Sequence, residues 1–147
     1  MFATFDGQKC VDEKIIIKNT MDVSNNALNP TSNFCVGATI VTKDDKVYTG
    51  ANLELKSLLF TLCAERAAIS KAISNGETEF KKIYIYGHKR DCEATRFTPP
   101  CGVCLQTMNE LCPSDFKIIL VKSLTETETY ELKDLLPFGF NSKKGGN

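Results

Sequence analysis

Residues 34–52, FCVGATIVTKDDKVYTGAN, and the TLCAERAAISKAISN of residues 61–75 decide the fold. Residues 34–42 are rich in β-branched side chains, which suit a pleated surface and predict a strand. Lys43-Asp44-Asp45 supplies a turn, and residues 46–52 return as a second strand, so the segment is a hairpin. The pattern then changes. Residues 61–75 are alanine-rich, with Thr61 placed to cap the start and Gly76 placed to release the end, which predicts a helix.

Outward from this unit the same alternation continues. Residues 11–28 carry apolar positions at near-helical spacing and predict a first helix, ended by Asn29-Pro30-Thr31-Ser32-Asn33. Residues 82–88 predict a strand. Pro99-Pro100 stops the chain, and a further helix opens near Cys101 and closes at Cys112-Pro113. Residues 116–122 are almost wholly apolar, as expected of a buried strand. Residues 129–136 pair and then coil into a short closing helix. The tail, residues 142–147, is expected to be disordered. The prediction is one α/β domain over residues 1–141: three layers, with a mixed central β-sheet of about five strands flanked by helices. The hairpin makes part of the sheet antiparallel and the later crossovers make part of it parallel. Such sheets place sites where helix N-termini meet strand ends. Two termini are predicted, at Thr61 and Pro100, and cysteine follows both.

At 147 residues the chain is long enough for a real core, and 42% hydrophobic with 24% charged residues is the mix of a globular protein. Lys plus Arg number 18 and Asp plus Glu number 18. A protein that grips a phosphate backbone carries a basic excess, so nucleic acid is not the expected partner. Nothing approaches the roughly 20 apolar residues that span a bilayer, and residues 1–7 lack the form of a secretory signal, so no membrane role and a cytoplasmic location are expected. Seven cysteines, at 10, 35, 63, 92, 101, 104 and 112, are an odd number. In a reducing compartment they read as ligands and core residues, not disulfides.

Cys101 and Cys104 are three apart, so they share one face in the first turn of a helix, beside its partial positive charge. Thiolates so spaced commonly hold zinc, though on this motif alone a redox pair or two small core residues remain the alternative. Cys63-Ala64-Glu65 shifts the balance, since it stands at the other predicted helix start with a carboxylate two positions after a thiol. Three thiolates leave a tetrahedral metal one open position, the arrangement of a catalytic zinc site. An adjacent carboxylate can then carry protons for a water molecule. This is the general pattern of zinc nucleobase deaminases. The rival is a closed structural site, its fourth ligand drawn from Cys10, Cys35, Cys92, Cys112 or His88. His88 otherwise caps a strand end, and the remaining cysteines are small packing residues.

With these residues in place, the sequence resembles the small homotetrameric cytidine deaminases over residues 29–141. The resemblance rests on Ser32-Asn33-Phe34-Cys35-Val36-Gly37-Ala38, Gly50-Ala51-Asn52-Leu53-Glu54, Thr61-Leu62-Cys63-Ala64-Glu65-Arg66, Pro100-Cys101-Gly102-Val103-Cys104 and Leu135-Leu136-Pro137. It implies one zinc per subunit on Cys63, Cys101 and Cys104, with Glu65 moving protons. The implied reaction is the zinc-dependent hydrolysis of cytidine or 2′-deoxycytidine to the uridine product and ammonia, in pyrimidine salvage. It further implies that Asn52 and Glu54 hold the ribose 3′-hydroxyl, that Phe34 packs on the base, and that the Ala64 backbone meets the pyrimidine edge. Phe140, or Phe138 two residues before it, would cover the base in a neighbouring subunit, and Arg66 would balance charge at the sulfurs. On their own, Phe34 reads equally as core, Asn52 as a strand-end residue and Glu54 as a surface charge.

The chain departs from the family at Leu55-Lys56-Ser57-Leu58, at Thr31 and at Leu105, which stands where an arginine usually follows the second C-x-x-C cysteine. Less positive charge beside the sulfurs should weaken the acidity of a metal-bound water unless Lys56 or Arg96 compensates. Two other functions keep a place: deamination of a modified cytosine nucleoside such as blasticidin S, and an inactive zinc-stabilised oligomer or binding module.

Overall fold

The computed structural model describes residues 6–57 and 60–140. The tail predicted over residues 142–147, and Leu58 of the departing segment, lie outside them.

The elements in chain order are β1 (Gln8–Lys9), α1 (Glu13–Ser24), β2 (Phe34–Thr42), β3 (Lys46–Ala51), α2 (Ala64–Ser74), β4 (Phe80–Lys89), α3 (Gly102–Leu111), β5 (Lys117–Val121), β6 (Thr127–Glu131) and α4 (Leu132–Leu135). They form one sheet of six strands ordered β1-β3-β2-β4-β5-β6. The expectation was about five. The extra strand is β1, two residues paired with β3, too short to leave an alternating pattern in the sequence. The sheet is mixed as expected, but only β4 and β5 run parallel, with Ile83 opposite Ile118 and Ile85 opposite Leu120. The crossover through α2 instead returns β4 antiparallel to β2.

Strand alternation sorts the core onto two faces. Ala38, Ile40, Ile83, Ile85, Ile118 and Leu120 point towards α2 and α3, where Ala64, Ala68, Ala72, Cys104 and Met108 cover them. Val41, Val47, Tyr84, Tyr86, Ile119 and Val121 point the other way, under Ile16 and Ile17 of α1. Three layers result. Each helix layer lies on the sheet at a glycine. A Cβ at Gly37 would fall 2.2 Å from the Thr20 carbonyl of α1, and one at Gly50 would fall 2.5 Å from the Ala68 nitrogen of α2. Side chains there would hold both helices off the sheet.

α1 starts at Asp12, whose carboxylate accepts the Lys14 N–H at 3.0 Å. α2 and α3 start differently. Their N-cap residues are Cys63 and Cys101, neither of which makes a side-chain cap bond. The expected start at Thr61 is therefore corrected by two residues. Threonine is the better hydrogen-bonding cap, yet cysteine takes the position and keeps its sulfur free of capping. Both starts lie on the same face of the sheet, that of α2 and α3. Among the described residues, no helix is long and apolar enough to cross a membrane.

Candidate active site

Cys63 and Cys101 occupy N-cap positions, and Cys104 is the third helical residue of α3. N-cap and third-residue side chains converge on one point outside the helix start, as they do in a capping box. That geometry brings Cys104 to Cys101, and the packing of α2 beside α3 brings Cys63 to both. The three sulfurs all lie within 4.8 Å of one another, with Cys63 Sγ and Cys101 Sγ 3.7 Å apart. Tetrahedral bonds of about 2.3 Å to zinc set sulfurs roughly 3.8 Å apart, so the Cys63–Cys101 separation suits that ion and the third sulfur lies close enough to join them.

Among the described residues this trio is the cluster of ligand-type side chains. The candidates for a fourth ligand are engaged or distant in kind. His88 is 5% exposed within β4, its Nε2 2.8 Å from Ser24 Oγ and its Nδ1 2.8 Å from the Lys89 carbonyl. It stands at the end of β4, where it meets the last carbonyl of the strand, and it also ties α1 to the sheet. Cys35 is buried and accepts from Asn29 Nδ2 at 3.3 Å. Burial pushes the Cys112 thiol up to about 12. Cys10 is half-buried and packs against the core under α1, as expected, whereas Cys92 is exposed and is not the packing residue expected of it.

Glu65 is the second residue of α2 and 4% exposed. Burial pushes its carboxyl up to about 7, with its own backbone N–H opposing and the Cys63 thiolate adding to the rise. Cys63 goes the other way, to about 5, through the hydrogen bond from Cys104 first and those from Arg66 and Cys101 after, against its own burial. Cys104, donor in that pair and itself buried, is pushed up. Arg66 folds back over the helix start: its Nη2 lies 3.6 Å from Cys63 Sγ and 3.3 Å from the Thr61 carbonyl. Leu105, in the place of the family's second arginine, packs half-buried against the core. The guanidinium at the sulfurs is thus that of Arg66. Cys104 closes the base of the site and Cys101, exposed, forms its open side.

The other predicted residues gather at the neighbouring strand ends. Asn52, directly after β3, spans to β2: its Oδ1 accepts the Val36 N–H at 2.8 Å and its Nδ2 donates to the Phe34 carbonyl at 3.0 Å. Glu54 takes both the N–H and the hydroxyl of Ser32 on Oε1. Phe34 lies half-buried on the sheet face that carries α2 and α3 and lines a cavity of about 360 Å³ with Gly87 and Arg96. A Cβ at Gly87 would sit 2.9 Å from the Phe34 ring and 2.4 Å from Thr98 Oγ1, so glycine there lets the ring lie on β4. Ala64 is fully buried between α2 and the sheet.

Phe140 is held differently. Its carbonyl accepts from Asn109 Nδ2 at 2.7 Å and from Gln106, whose Oε1 receives the Phe140 N–H at 3.2 Å. The backbone is clasped to α3, while the ring is 70% exposed and that of Phe138 is 96% exposed. Both rings stand largely in solvent on their own chain. The sequence reading missed Gln106, Asn109, Thr98 and the role of Ser32. Ser32 belongs to the Ser32–Ala38 motif, but its partner lies 22 residues away and no local pattern reveals it.

A three-layer α/β domain with three thiols and a buried carboxylate at two helix starts is the class this geometry defines. Residues 12–120 match the family model for the cytidine and deoxycytidylate deaminase zinc-binding region, and the chain belongs to that family. It is 36% identical over 133 residues to a cytidine deaminase of Halalkalibacterium halodurans, covering 90% of this chain and 97% of that one. A blasticidin-S deaminase of Bacillus cereus is 31% identical over 108 residues, covering 71% of this chain and 76% of the relative. Among solved structures, the cytidine deaminase of Burkholderia pseudomallei superposes with a TM-score of 0.79 at 33% identity, over 88% of this chain and all of that one.

Proposed function

We propose that the protein is a zinc-dependent cytidine deaminase, converting cytidine and 2′-deoxycytidine to uridine and 2′-deoxyuridine with release of ammonia. The observation that carries this reading is the set of three sulfurs at bonding separation with the buried Glu65 carboxyl beside them. Cys63, Cys101 and Cys104 hold one zinc ion per subunit, which when bound polarises and acidifies water. Glu65 would take one proton from the water that adds to C4 and pass it to the ring nitrogen, then take the second proton, from the added hydroxyl, and pass it to the amine, which leaves as ammonia. Its burial excludes bulk water from that exchange. Arg66 offsets the negative charge that three thiolates bring to a divalent ion.

The base lies against Phe34 and the Ala64 backbone, and the ribose 3′-hydroxyl lies between Asn52 and Glu54. Asn52 keeps one Nδ2 proton for a ligand beyond its bond to Phe34. The catalytic domain is residues 1–141, and the exposed Phe140, with its backbone fixed on α3, supplies a ring to a neighbouring subunit in a homotetramer. Seven unpaired cysteines, with all of them free, suit a cytoplasmic enzyme of pyrimidine salvage.

The test is ammonia release and uridine formation by zinc-loaded protein across a nucleoside panel, beside the variant Glu65→Gln. Blasticidin S belongs in that panel, since the Bacillus cereus relative is named for it. Intact Asn52 and Glu54 favour an ordinary ribose, so cytidine should be turned over faster. An inactive binding module would have no need of a carboxyl buried beside the sulfurs; absence of turnover with every nucleoside would establish it instead.

A further inference from the structure

The loop between α1 and β2 does more than connect them. Asn33, in the left-handed region at φ 57°, turns the chain so that Ser32 faces the segment after β3. Ser32 Oγ accepts the Phe34 N–H at 3.0 Å. Its single proton is therefore left for Glu54 Oε1, 2.8 Å away, and the Ser32 N–H reaches the same oxygen at 3.2 Å. On the other side, the Phe34 carbonyl takes Asn52 Nδ2 and the Val36 N–H is taken by Asn52 Oδ1. Glu54 N–H in turn donates to the Leu28 carbonyl at 2.7 Å, and Leu28 N–H to the Asn52 carbonyl at 3.1 Å. With Leu28, the residues assigned to base and ribose thus form one closed ring of hydrogen bonds, and Ser32 is the member without an assigned ligand that enters the ring through its side chain. The ring has an outer anchor: Arg90 Nη2 holds both the Ala27 carbonyl and Asn29 Oδ1, and the Arg90 N–H holds the Asn33 carbonyl at 3.0 Å.

We infer that Ser32 is a positioning residue for the sugar: by fixing Oε1 of Glu54 with two donors, it presents the second carboxylate oxygen, Oε2, to the 3′-hydroxyl of the nucleoside. Without it, the Glu54 side chain regains its rotamers and must be ordered by the substrate on every encounter. The effect belongs to substrate binding, not to the chemical step, because Ser32 touches neither the sulfurs nor Glu65. This inference rests on the proposed placement of the ribose at Glu54.

The test compares cytidine with 3′-deoxycytidine, which lacks the hydroxyl in question, on zinc-loaded protein. Ser32→Ala should raise KM for cytidine about ten-fold, the scale of one hydrogen bond to a charged group, with kcat within about three-fold. KM for 3′-deoxycytidine should not move. Ser32→Thr keeps the hydroxyl on an exposed position and should restore most of the loss. A rise in both KM values together, or no rise in either, overturns the positioning role and leaves Ser32 a loop residue. Glu54→Gln separates the two layers of the argument. If that variant still favours cytidine over 3′-deoxycytidine as strongly as the unaltered protein does, the ribose placement itself is wrong.

Discussion

A carboxyl 4% exposed is costly to keep ionised, and proteins keep one only where something compensates. Glu65 has no partner of opposite charge closer in role than Arg66, which serves Cys63. Glu65→Gln preserves shape, removes the charge and removes proton transfer. Activity should fall by about 10²–10⁴-fold while zinc content stays at that of the unaltered protein and the unfolding temperature does not drop. Turnover above about a tenth of normal in a zinc-replete variant would remove Glu65 from the mechanism. The three cysteines and Glu65 were legible in the sequence because their chemistry depends on spacing within single turns. The cap at Cys63 was not, because local preference favours Thr61 and only the convergence of two helices explains the choice. Ser32 was illegible for a similar reason: its meaning lies in a contact across 22 residues.

At the scale of elements, the site is as well placed as α2 is, since that helix carries Cys63 at its start and Glu65 in its first turn. Gly50 is where α2 rests on β3. An added Cβ would meet the Ala68 nitrogen at 2.5 Å and the Ala64 carbonyl at 2.6 Å, both backbone atoms that no rotamer change can move. Gly50→Ala should therefore shift the helix, cost about 1–3 kcal/mol or more by denaturant unfolding, and weaken zinc retention against a chromophoric chelator. Gly102→Ala is the control, since a Cβ there meets nothing within 4 Å and the first turn of α3 accepts alanine well. Its stability should stay within about 0.5 kcal/mol of the unaltered protein. The hairpin of β2 and β3, the alternation of strands with helices, and α3 bounded by prolines were all readable from pattern. β1 was not, being two residues whose pairing is fixed from outside: Asp6 Oδ1 accepts from the Thr49 N–H at 2.7 Å and Asp6 Oδ2 pairs with Lys71 at 2.8 Å. The parallel pair of β4 and β5 was expected from the later crossover, whereas the antiparallel return of β4 onto β2 was not, because a helix between two strands does not specify which neighbour the second strand joins.

For the molecule as a whole, both core faces are filled mainly by aliphatic and aromatic side chains, with Cys104 the one metal-site thiol inside them, so zinc should staple α2 to α3 rather than create the fold. Chelation is expected to leave the far-UV circular dichroism in place, lower the unfolding temperature by several degrees, and make about two further thiols reactive, those of Cys63 and Cys101. Collapse of the helical signal on chelation would show instead that the metal is structural. Under the proposed reading the base still needs a cover, and the rings of Phe138 and Phe140 stand exposed on their own chain. Gln106 and Asn109 spend three hydrogen bonds on the Phe140 backbone, which orders the segment while leaving the ring 70% exposed. Ordering backbone to display an apolar ring to water is unfavourable unless another surface receives it. In a tetramer with shared sites, each active site would draw Glu65 from one subunit and Phe140 from another. That arrangement makes a prediction that no isolated-subunit scheme shares. Phe140→Ala should raise KM for cytidine about ten-fold or more, and Glu65→Gln should be inactive on its own. Assembled together, subunits of the two kinds regenerate complete sites wherever a Glu65 from the Phe140→Ala chain meets a Phe140 from the Glu65→Gln chain. The mixed assembly should therefore exceed the summed activity of the two separate variants at low cytidine, and the excess should vanish when Phe140→Ala and Glu65→Gln are placed in the same chain and mixed with that double variant alone. Strictly additive activity, with mixed assembly verified by a tag on one partner, would return Phe140 to the surface of its own subunit.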